Sequence, residues 1–97
     1  MIFGGKIKEY REERGFLQRH LSAALEIDTP MYSKIERGER KAKRSHIPIL
    51  ARFFNIDEKE LLVIWLADKV LDAIKEEEEV KIEAIIYAQK EIYESNK

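Results

Sequence analysis

Residues 18–38 read QRHLSAALEIDTPMYSKIERG, and the clearest helix signals of the chain lie in this stretch. Apolar residues at helical spacing predict a first short helix over residues 18–25, which ends in the polar turn at Glu26. Asp28 is a typical N-cap, because its carboxylate can accept the free amides of a following helix and opposes the positive end of the helix dipole. That second helix is predicted over residues 29–37, and the glycine that closes the stretch ends it. The stretch therefore predicts two short helices joined by a turn of three residues.

The rest of the chain also has a helical pattern, and no alternation of apolar and polar residues predicts a strand. The remaining predicted helices cover residues 4–14, 45–54, 57–74 and 80–94. Ser45 and Asp57 are the expected caps of two of them, with Glu60 at capping-box spacing from Asp57. Four glutamates at residues 76–79 interrupt the apolar stripe. We therefore expect a break there, although no Gly or Pro forbids one continuous helix, and the predicted fold class is all-α.

The composition indicates a folded, water-soluble chain. A length of 97 residues, of which 44% are hydrophobic, suits one core with an appendage. The chain has no cysteine, and its first residues do not resemble a signal peptide. No run approaches the roughly 18 apolar residues that a membrane span needs. We therefore expect a cytoplasmic protein that uses neither disulfides nor a membrane.

Charge is divided unevenly along the chain. Residues 1–55 contain twelve Lys and Arg against seven Asp and Glu, whereas residues 56–97 contain six against twelve. A basic front half favours contact with a polyanion, which makes double-stranded DNA a candidate partner. The alternative is that charges of both signs simply coat solvated helix faces.

No residues are arranged for catalysis or for holding a metal ion. His20 and His46 are isolated, without a partner His, Cys or carboxylate at ligand spacing. The sequence has no glycine-rich phosphate loop and no arrangement of Ser and His that resembles a triad. The four glutamates do not form a liganding loop for calcium. We therefore expect no enzymatic activity, no cofactor and no small-molecule ligand.

Two short helices with this turn have the local geometry of a helix-turn-helix. The sequence from Ile7 to Leu61 resembles the XRE type of helix-turn-helix, the class that includes phage Cro and repressor domains. The resemblance is carried by KEYREERG at 8–15, Gln18, LSAAL at 21–25, SKIERG at 33–38, LA at 50–51 and FNI at 54–56. It implies a five-helix lambda-repressor-like domain, here over residues 1–66, with an extra C-terminal helix. Leu17 departs from the family pattern, which usually has a capping Ser or Thr there.

The resemblance also implies where DNA would bind, because the third helix of such a domain lies in the major groove. Its expected base-facing residues are Thr29, Pro30, Met31, Ser33 and Lys34. Lys34 is the best candidate for reading a base, since an ammonium group can donate to the O6 and N7 acceptors of guanine. Phosphate contacts are expected from Gln18, which matches a phosphate-binding glutamine of the family, and from Arg19, Arg37, Arg40, Lys41, Lys43 and Arg44. The alternative reading of this patch is a solvated helix face.

Glu36 lies on the inner side of a helix that should face anionic DNA. In the family, the residue at this position pairs with an arginine from the first helix, and Arg11 matches that arginine. The resemblance therefore implies a partly buried Arg11–Glu36 ion pair, with a structural rather than a catalytic role.

Residues 67–97 are predicted to form a C-terminal helical extension that serves dimerisation. One helix-turn-helix unit contacts about half of a DNA site, so regulators of this size usually pair. The residues expected at the dimer interface are apolar: Trp65, Leu66, Leu71, Ile85, Ile86 and Tyr93, with Tyr87 nearby. The alternative is that the last helix folds back onto its own domain.

These patterns predict a sequence-specific DNA-binding transcription regulator that acts as a homodimer on a palindromic operator and controls its own gene. Phage repressors, restriction-modification controller proteins and antitoxins all resemble such a chain, and the sequence does not separate them. The alternative function is a protein-interaction module or antitoxin that keeps the helix-turn-helix fold, because fold alone does not establish function.

Overall fold

Six α-helices make up the computed structural model, which describes residues 1–96. They are α1 (Phe3–Glu13), α2 (Gln18–Leu25), α3 (Thr29–Glu36), α4 (His46–Phe54), α5 (Glu58–Ile74) and α6 (Lys81–Ser95). No strand occurs within residues 1–96, so the predicted all-α fold class is confirmed. The expected break at the four glutamates is also present, because α5 ends at Ile74. Lys97, the last residue of the predicted extension, lies outside the described residues.

The ends of α2 and α3 follow from local chemistry. The Asp28 carboxylate accepts the Met31 amide at 2.7 Å and so caps α3 as expected. Leu17 gives α2 no side-chain cap. Instead His20, three residues on, accepts the Leu17 amide at Nδ1 over 2.9 Å. Glu26 then ends α2 in the left-handed conformation, with φ of 58°. The Ile27 amide donates to the Ser22 carbonyl at 3.0 Å, so hydrogen bonds hold the turn on the side of α2 as well as at the Asp28 cap.

The Ser45 cap and the Asp57–Glu60 capping box differ from the expectation. Ser45 precedes α4 but makes no capping hydrogen bond with its side chain. Asp57 does accept an amide, that of Lys59 at 3.0 Å. Glu60 does not complete a capping box, because its carboxylate accepts the Tyr10 hydroxyl at 3.0 Å. A tertiary contact between α1 and α5 therefore takes the place of a local one.

All five helices from α1 to α5 contribute side chains to the core. Its fully buried side chains are Ile7, Leu21, Tyr32, Ile47, Leu50, Phe54 and Leu61. α2 packs against α3 and α4, while α1 packs against α3 and α5. Both helices of the helix-turn-helix are consequently held from behind, which leaves their outer faces free.

α1 and α3 approach each other unusually closely at Gly4. A Cβ atom built on Gly4 would lie 2.5 Å from the Glu36 carbonyl oxygen and closer still to that of Ile35. Both oxygens belong to the backbone, so neither can swing away as a flexible side chain could. Glycine is therefore required at this helix crossing.

Asp68 joins α5 to the start of the chain. This buried carboxylate accepts the amide of Ile2 at 2.7 Å and that of Phe3 at 2.8 Å. It therefore caps α1 from a distant part of the sequence, because the first amides of a helix have no partner within the helix itself. The predicted domain boundary between residues 66 and 67 lies inside α5, just before this contact.

α6 contributes no buried residue to the chain. The end of α5 and the start of α6 enclose an open groove of about 360 Å³, which is lined by Leu71, Ile74, Lys75, Lys81, Ile82 and Ile85. No helix in residues 1–96 has the length and apolar character to cross a membrane. The C-terminal third therefore presents apolar side chains that its own core does not cover.

Candidate nucleic-acid interface

α3 has one face in the core and one face in solvent. Tyr32, Ile35 and Glu36 are buried, whereas Pro30 and Lys34 are exposed. The exposed residues lie on successive turns of the helix, because they are four positions apart. The Lys34 ammonium makes no hydrogen bond or ion pair with any residue in 1–96, so it is free to meet a ligand.

The three remaining residues predicted to face bases are only half exposed. The Thr29 hydroxyl lies 3.0 Å from that of Ser22, which ties the start of α3 to α2. Ser33 accepts a hydrogen bond from Arg37 Nη1 at 2.5 Å. Met31 offers apolar surface beside them. In the unbound chain, the hydroxyls of Thr29 and Ser33 are therefore both occupied by protein partners.

A buried ion pair holds α3 to α1. Arg11 Nε lies 2.7 Å from Glu36 Oε2, and Arg11 Nη2 lies 3.1 Å from Glu36 Oε1. The third guanidinium nitrogen, Nη1, donates to the Phe16 carbonyl at 2.9 Å. The fork geometry of arginine matches both carboxylate oxygens, which makes this the strong bidentate form of the contact. The pair fixes α3 from its inner side.

Glu36 stays ionised although its side chain is only 2% exposed. Burial by itself would raise the pKa of Glu36, but hydrogen bonds from Arg11 and Gln18 outweigh burial and lower that pKa. Burial and then the Glu36 carboxylate raise the pKa of the neighbouring Tyr32 hydroxyl. Among the buried side-chain polar atoms of residues 1–96, this hydroxyl is the one without a hydrogen-bond partner.

Gln18 belongs to the same network. Its amide nitrogen donates to Glu36 Oε1 at 3.0 Å, so the first residue of α2 is hydrogen-bonded to the end of α3. This contact sets the relative position of the two helices of the motif. The Gln18 side-chain amide, for which the family resemblance implies a phosphate contact, is thus already hydrogen-bonded within the chain.

The segment after α3 carries exposed basic side chains and is folded back onto that helix. The amides of Glu39 and Arg40 both donate to the Lys34 carbonyl, at 2.9 and 3.3 Å. Arg37 donates to Glu39 at 2.5 Å. The basic residues predicted to contact phosphate are exposed without exception: Arg19, Arg37, Arg40, Lys41, Lys43 and Arg44. Exposed cations thus flank the free face of α3.

A family model described as helix-turn-helix matches residues 7–61, which is more than half of the chain. The chain belongs to the XRE family. Members of this Cro- and phage-repressor-type family are DNA-binding transcription regulators, and their fold is generally non-enzymatic. Neither the curated proteins nor the solved structures that were compared with the chain gave a significant match.

In this XRE-family chain, the residues predicted for a dimer interface lie on two helices. Leu66 and Leu71 are exposed on α5, and Ile85, Ile86 and Tyr93 are exposed on α6. Trp65 is only partly exposed, because its ring packs against the core and its indole nitrogen donates to the Ala42 carbonyl at 2.8 Å. A tryptophan in an apolar stripe gives no sequence signal of such a polar contact.

The structure also shows contacts of this XRE-family domain that the sequence reasoning missed. Lys41, predicted to contact phosphate, donates to Asp72 on α5 at 2.6 Å. Hydrogen bonds from Lys41 and Lys75 lower the pKa of Asp72 to about 2. His46 Nδ1 accepts the Lys43 amide at 3.2 Å. Within residues 1–96, no three His, Asp or Glu side chains are grouped so that they could hold a metal ion.

Proposed function

We propose that this XRE-family chain is a sequence-specific transcription regulator that reads DNA with α3 and pairs with a second copy on a palindromic operator. The observation that carries this proposal is the free ammonium of Lys34 on the exposed face of α3. Exposed arginines and lysines flank that face, and the Arg11–Glu36 pair fixes its inner side. Base contacts by such a helix specify the sequence, and the surrounding cations supply affinity for phosphates.

Lys34→Ala should weaken binding to the operator by about 1–3 kcal/mol and reduce discrimination between sequences, because one base contact is lost. The measurement is fluorescence anisotropy with labelled DNA from upstream of the protein's own gene, against scrambled DNA, across a salt series. Lys8→Ala is the matched control, since it removes the same charge from an exposed position on α1. Equal, weak binding to both DNAs that Lys34→Ala leaves unchanged would contradict the assignment.

Pairing is supported by the apolar side chains that α5 and α6 expose. Val70, Leu71, Ile82 and Ile86 are all at least 44% exposed, and monomers rarely leave contiguous apolar patches of large size uncovered. Lys75 and Lys81 stand at the edges of the α5–α6 groove, while residues 76–79 are all glutamates. Both lysines are already paired within the chain, Lys75 with Asp72 and Lys81 with Glu78, so a second copy would meet the groove through its own apolar surface.

Ile86→Lys should shift the protein from dimer to monomer, because it places a charge in the paired apolar surface. Sedimentation velocity over a concentration series measures this shift. The fold should survive, since α6 contributes no buried residue. Glu91→Lys, an exposed position five residues further on and therefore on roughly the opposite side of α6, is the control and should leave the dimer intact. A wild-type protein that sediments only as a monomer at high micromolar concentration would rule out the pairing.

A second candidate function is favoured by the same apolar surface. If its occupant is a different protein, the chain is an interaction module or antitoxin that has kept the helix-turn-helix fold. Such a module would tolerate Lys34→Ala but lose its partner with Ile86→Lys. The two variants together therefore separate the two functions.

A further inference from the structure

The basic segment that follows α3 is held in place by α5. We define this segment, residues 39–44, as the basic loop. The indole Nε1 of Trp65 donates to the Ala42 carbonyl at 2.8 Å in the middle of the loop. The Ala42 side chain is itself buried, at 5% exposure. The loop is therefore anchored at its centre through one backbone carbonyl and one methyl group.

A second contact supports this anchor. Lys41 donates to Asp72 at 2.6 Å, and Asp72 lies seven residues after Trp65 on α5. Residues seven apart lie on nearly the same side of a helix, so α5 presents one continuous edge to the loop. Lys69 also lies against the Trp65 ring, with its ammonium 4.3 Å from the ring centroid.

The anchors divide the basic residues of the loop into two groups. Lys41 is turned towards α5 and paired with Asp72, a carboxylate that it shares with Lys75. Arg40, Lys43 and Arg44 are exposed and make no ion pair with any residue in 1–96. Since the Arg40 amide also donates to the Lys34 carbonyl, the outward cations start directly beside the residue proposed to read a base.

We propose that Trp65 is a positioning residue for DNA binding, which holds the basic loop so that Arg40, Lys43 and Arg44 meet the phosphates next to the bases read by α3. Trp65 itself touches no DNA in this arrangement. Lys41 is assigned to the anchor rather than to a phosphate. This inference rests on the proposed function, because it concerns the same DNA site.

The physical basis is the preorganisation of the loop. A loop that leaves its binding position for part of the time lowers the apparent affinity by the fraction of molecules that are competent to bind. Loss of the hydrogen bond from Trp65 to Ala42 shifts the equilibrium towards the displaced loop by the net free energy of one typical hydrogen bond. Trp65→Phe removes the donor and keeps an aromatic ring against the core. It should raise the operator Kd about two- to tenfold.

Tyr10→Phe is the matched control. It likewise removes one donor from a part-buried contact to α5, the 3.0 Å bond from Tyr10 to Glu60, but it does not touch the loop. We expect Trp65→Phe and Tyr10→Phe to lower the melting temperature comparably, and only Trp65→Phe to weaken DNA binding at a temperature where both are folded. Equal operator Kd values for the two variants would overturn the inference.

A double-mutant cycle tests whether Trp65 acts through the loop. The reference is the triple variant Arg40→Ala, Lys43→Ala and Arg44→Ala, in which the loop can no longer contact phosphates. Adding Trp65→Phe to that variant should weaken DNA binding no further, because residues that act through one another are not additive. A full additional loss in the triple variant would show a merely structural role and overturn the inference.

The outcomes for this inference are distinct from those for the proposed function. If the wild type shows no preference for the upstream DNA and Lys34→Ala has no effect, the proposed function fails. If Lys34→Ala weakens binding while Trp65→Phe leaves the operator Kd unchanged, the reading helix stands and the positioning role of Trp65 alone is wrong.

Discussion

Replacing Glu36 with alanine should lower the free energy of unfolding by about 3–5 kcal/mol, because it leaves the Arg11 guanidinium buried without its carboxylate. The Arg11 side chain is only 12% exposed and would lose two hydrogen bonds of 2.7 and 3.1 Å. Gln18 would lose its acceptor as well. Chemical denaturation followed by circular dichroism measures the change. A loss of this size is a large fraction of the total stability of a typical domain.

Glu39→Ala is the control for that prediction. Glu39 is also paired with an arginine, Arg37 at 2.5 Å, but both side chains are more than half exposed. Exposed ion pairs contribute at most about 1 kcal/mol, so Glu39→Ala should cause a small change. Similar losses in both variants would mean that burial of the Arg11–Glu36 pair does not matter.

The pH dependence of stability provides a second check on Glu36. Its pKa in the folded chain is lowered from the ordinary value of 4.5. A carboxylate of this kind stabilises the fold above its unfolded pKa, and the contribution disappears as the pH falls through the folded pKa. The stability difference between the wild type and Glu36→Gln should therefore be largest near neutral pH and narrow below pH 4.5.

Gly4→Ala should destabilise the fold by about 3 kcal/mol, because overpacking against backbone atoms forces two helices apart. The added Cβ would collide with the carbonyl oxygens of Ile35 and Glu36 at the end of α3. Thermal and urea unfolding measure the loss. The variant should also bind DNA more weakly, since the shift displaces the helix proposed to read bases.

Gly5→Ala is the control for Gly4→Ala, because it makes the same change one residue later in α1. A Cβ on Gly5 meets nothing within 4 Å. Alanine is the better helix former by about 0.5–1 kcal/mol, so this variant should be slightly more stable than the wild type. The two neighbouring glycines are thus expected to respond with opposite signs. Equal responses would contradict the close approach of α1 and α3.

The sequence predicted the parts of the fold that depend on neighbours along the chain. Asp28 and Pro30 mark the start of α3, and apolar spacing marks its inner face, so the two helices and their turn could be located closely. The Arg11–Glu36 contact was expected only from the resemblance to the family. Periodicity alone does not tell which arginine of α1 meets Glu36.

The other contacts between distant residues could not be predicted. Asp68 caps α1 across 65 positions, and Trp65 reaches Ala42 across 23 positions. Each of these side chains lies in a stretch of α5 whose pattern indicates only an amphipathic helix. Their partners are backbone groups, which every residue has and which therefore leave no trace in the sequence. Lys41 and Asp72 could equally have been solvated charges.

The buried side chains of residues 1–96 all lie between Phe3 and Asp68, so a single chain completes its core without α6. Two chains that pair through α5 and α6 could then separate without unfolding, and pairing would be an equilibrium set by their own concentration. While monomers dominate, the number of pairs rises with about the square of the chain concentration, by mass action. A modest change in synthesis rate would produce a larger change in operator occupancy. The response of such a regulator to its own abundance is therefore steeper than linear.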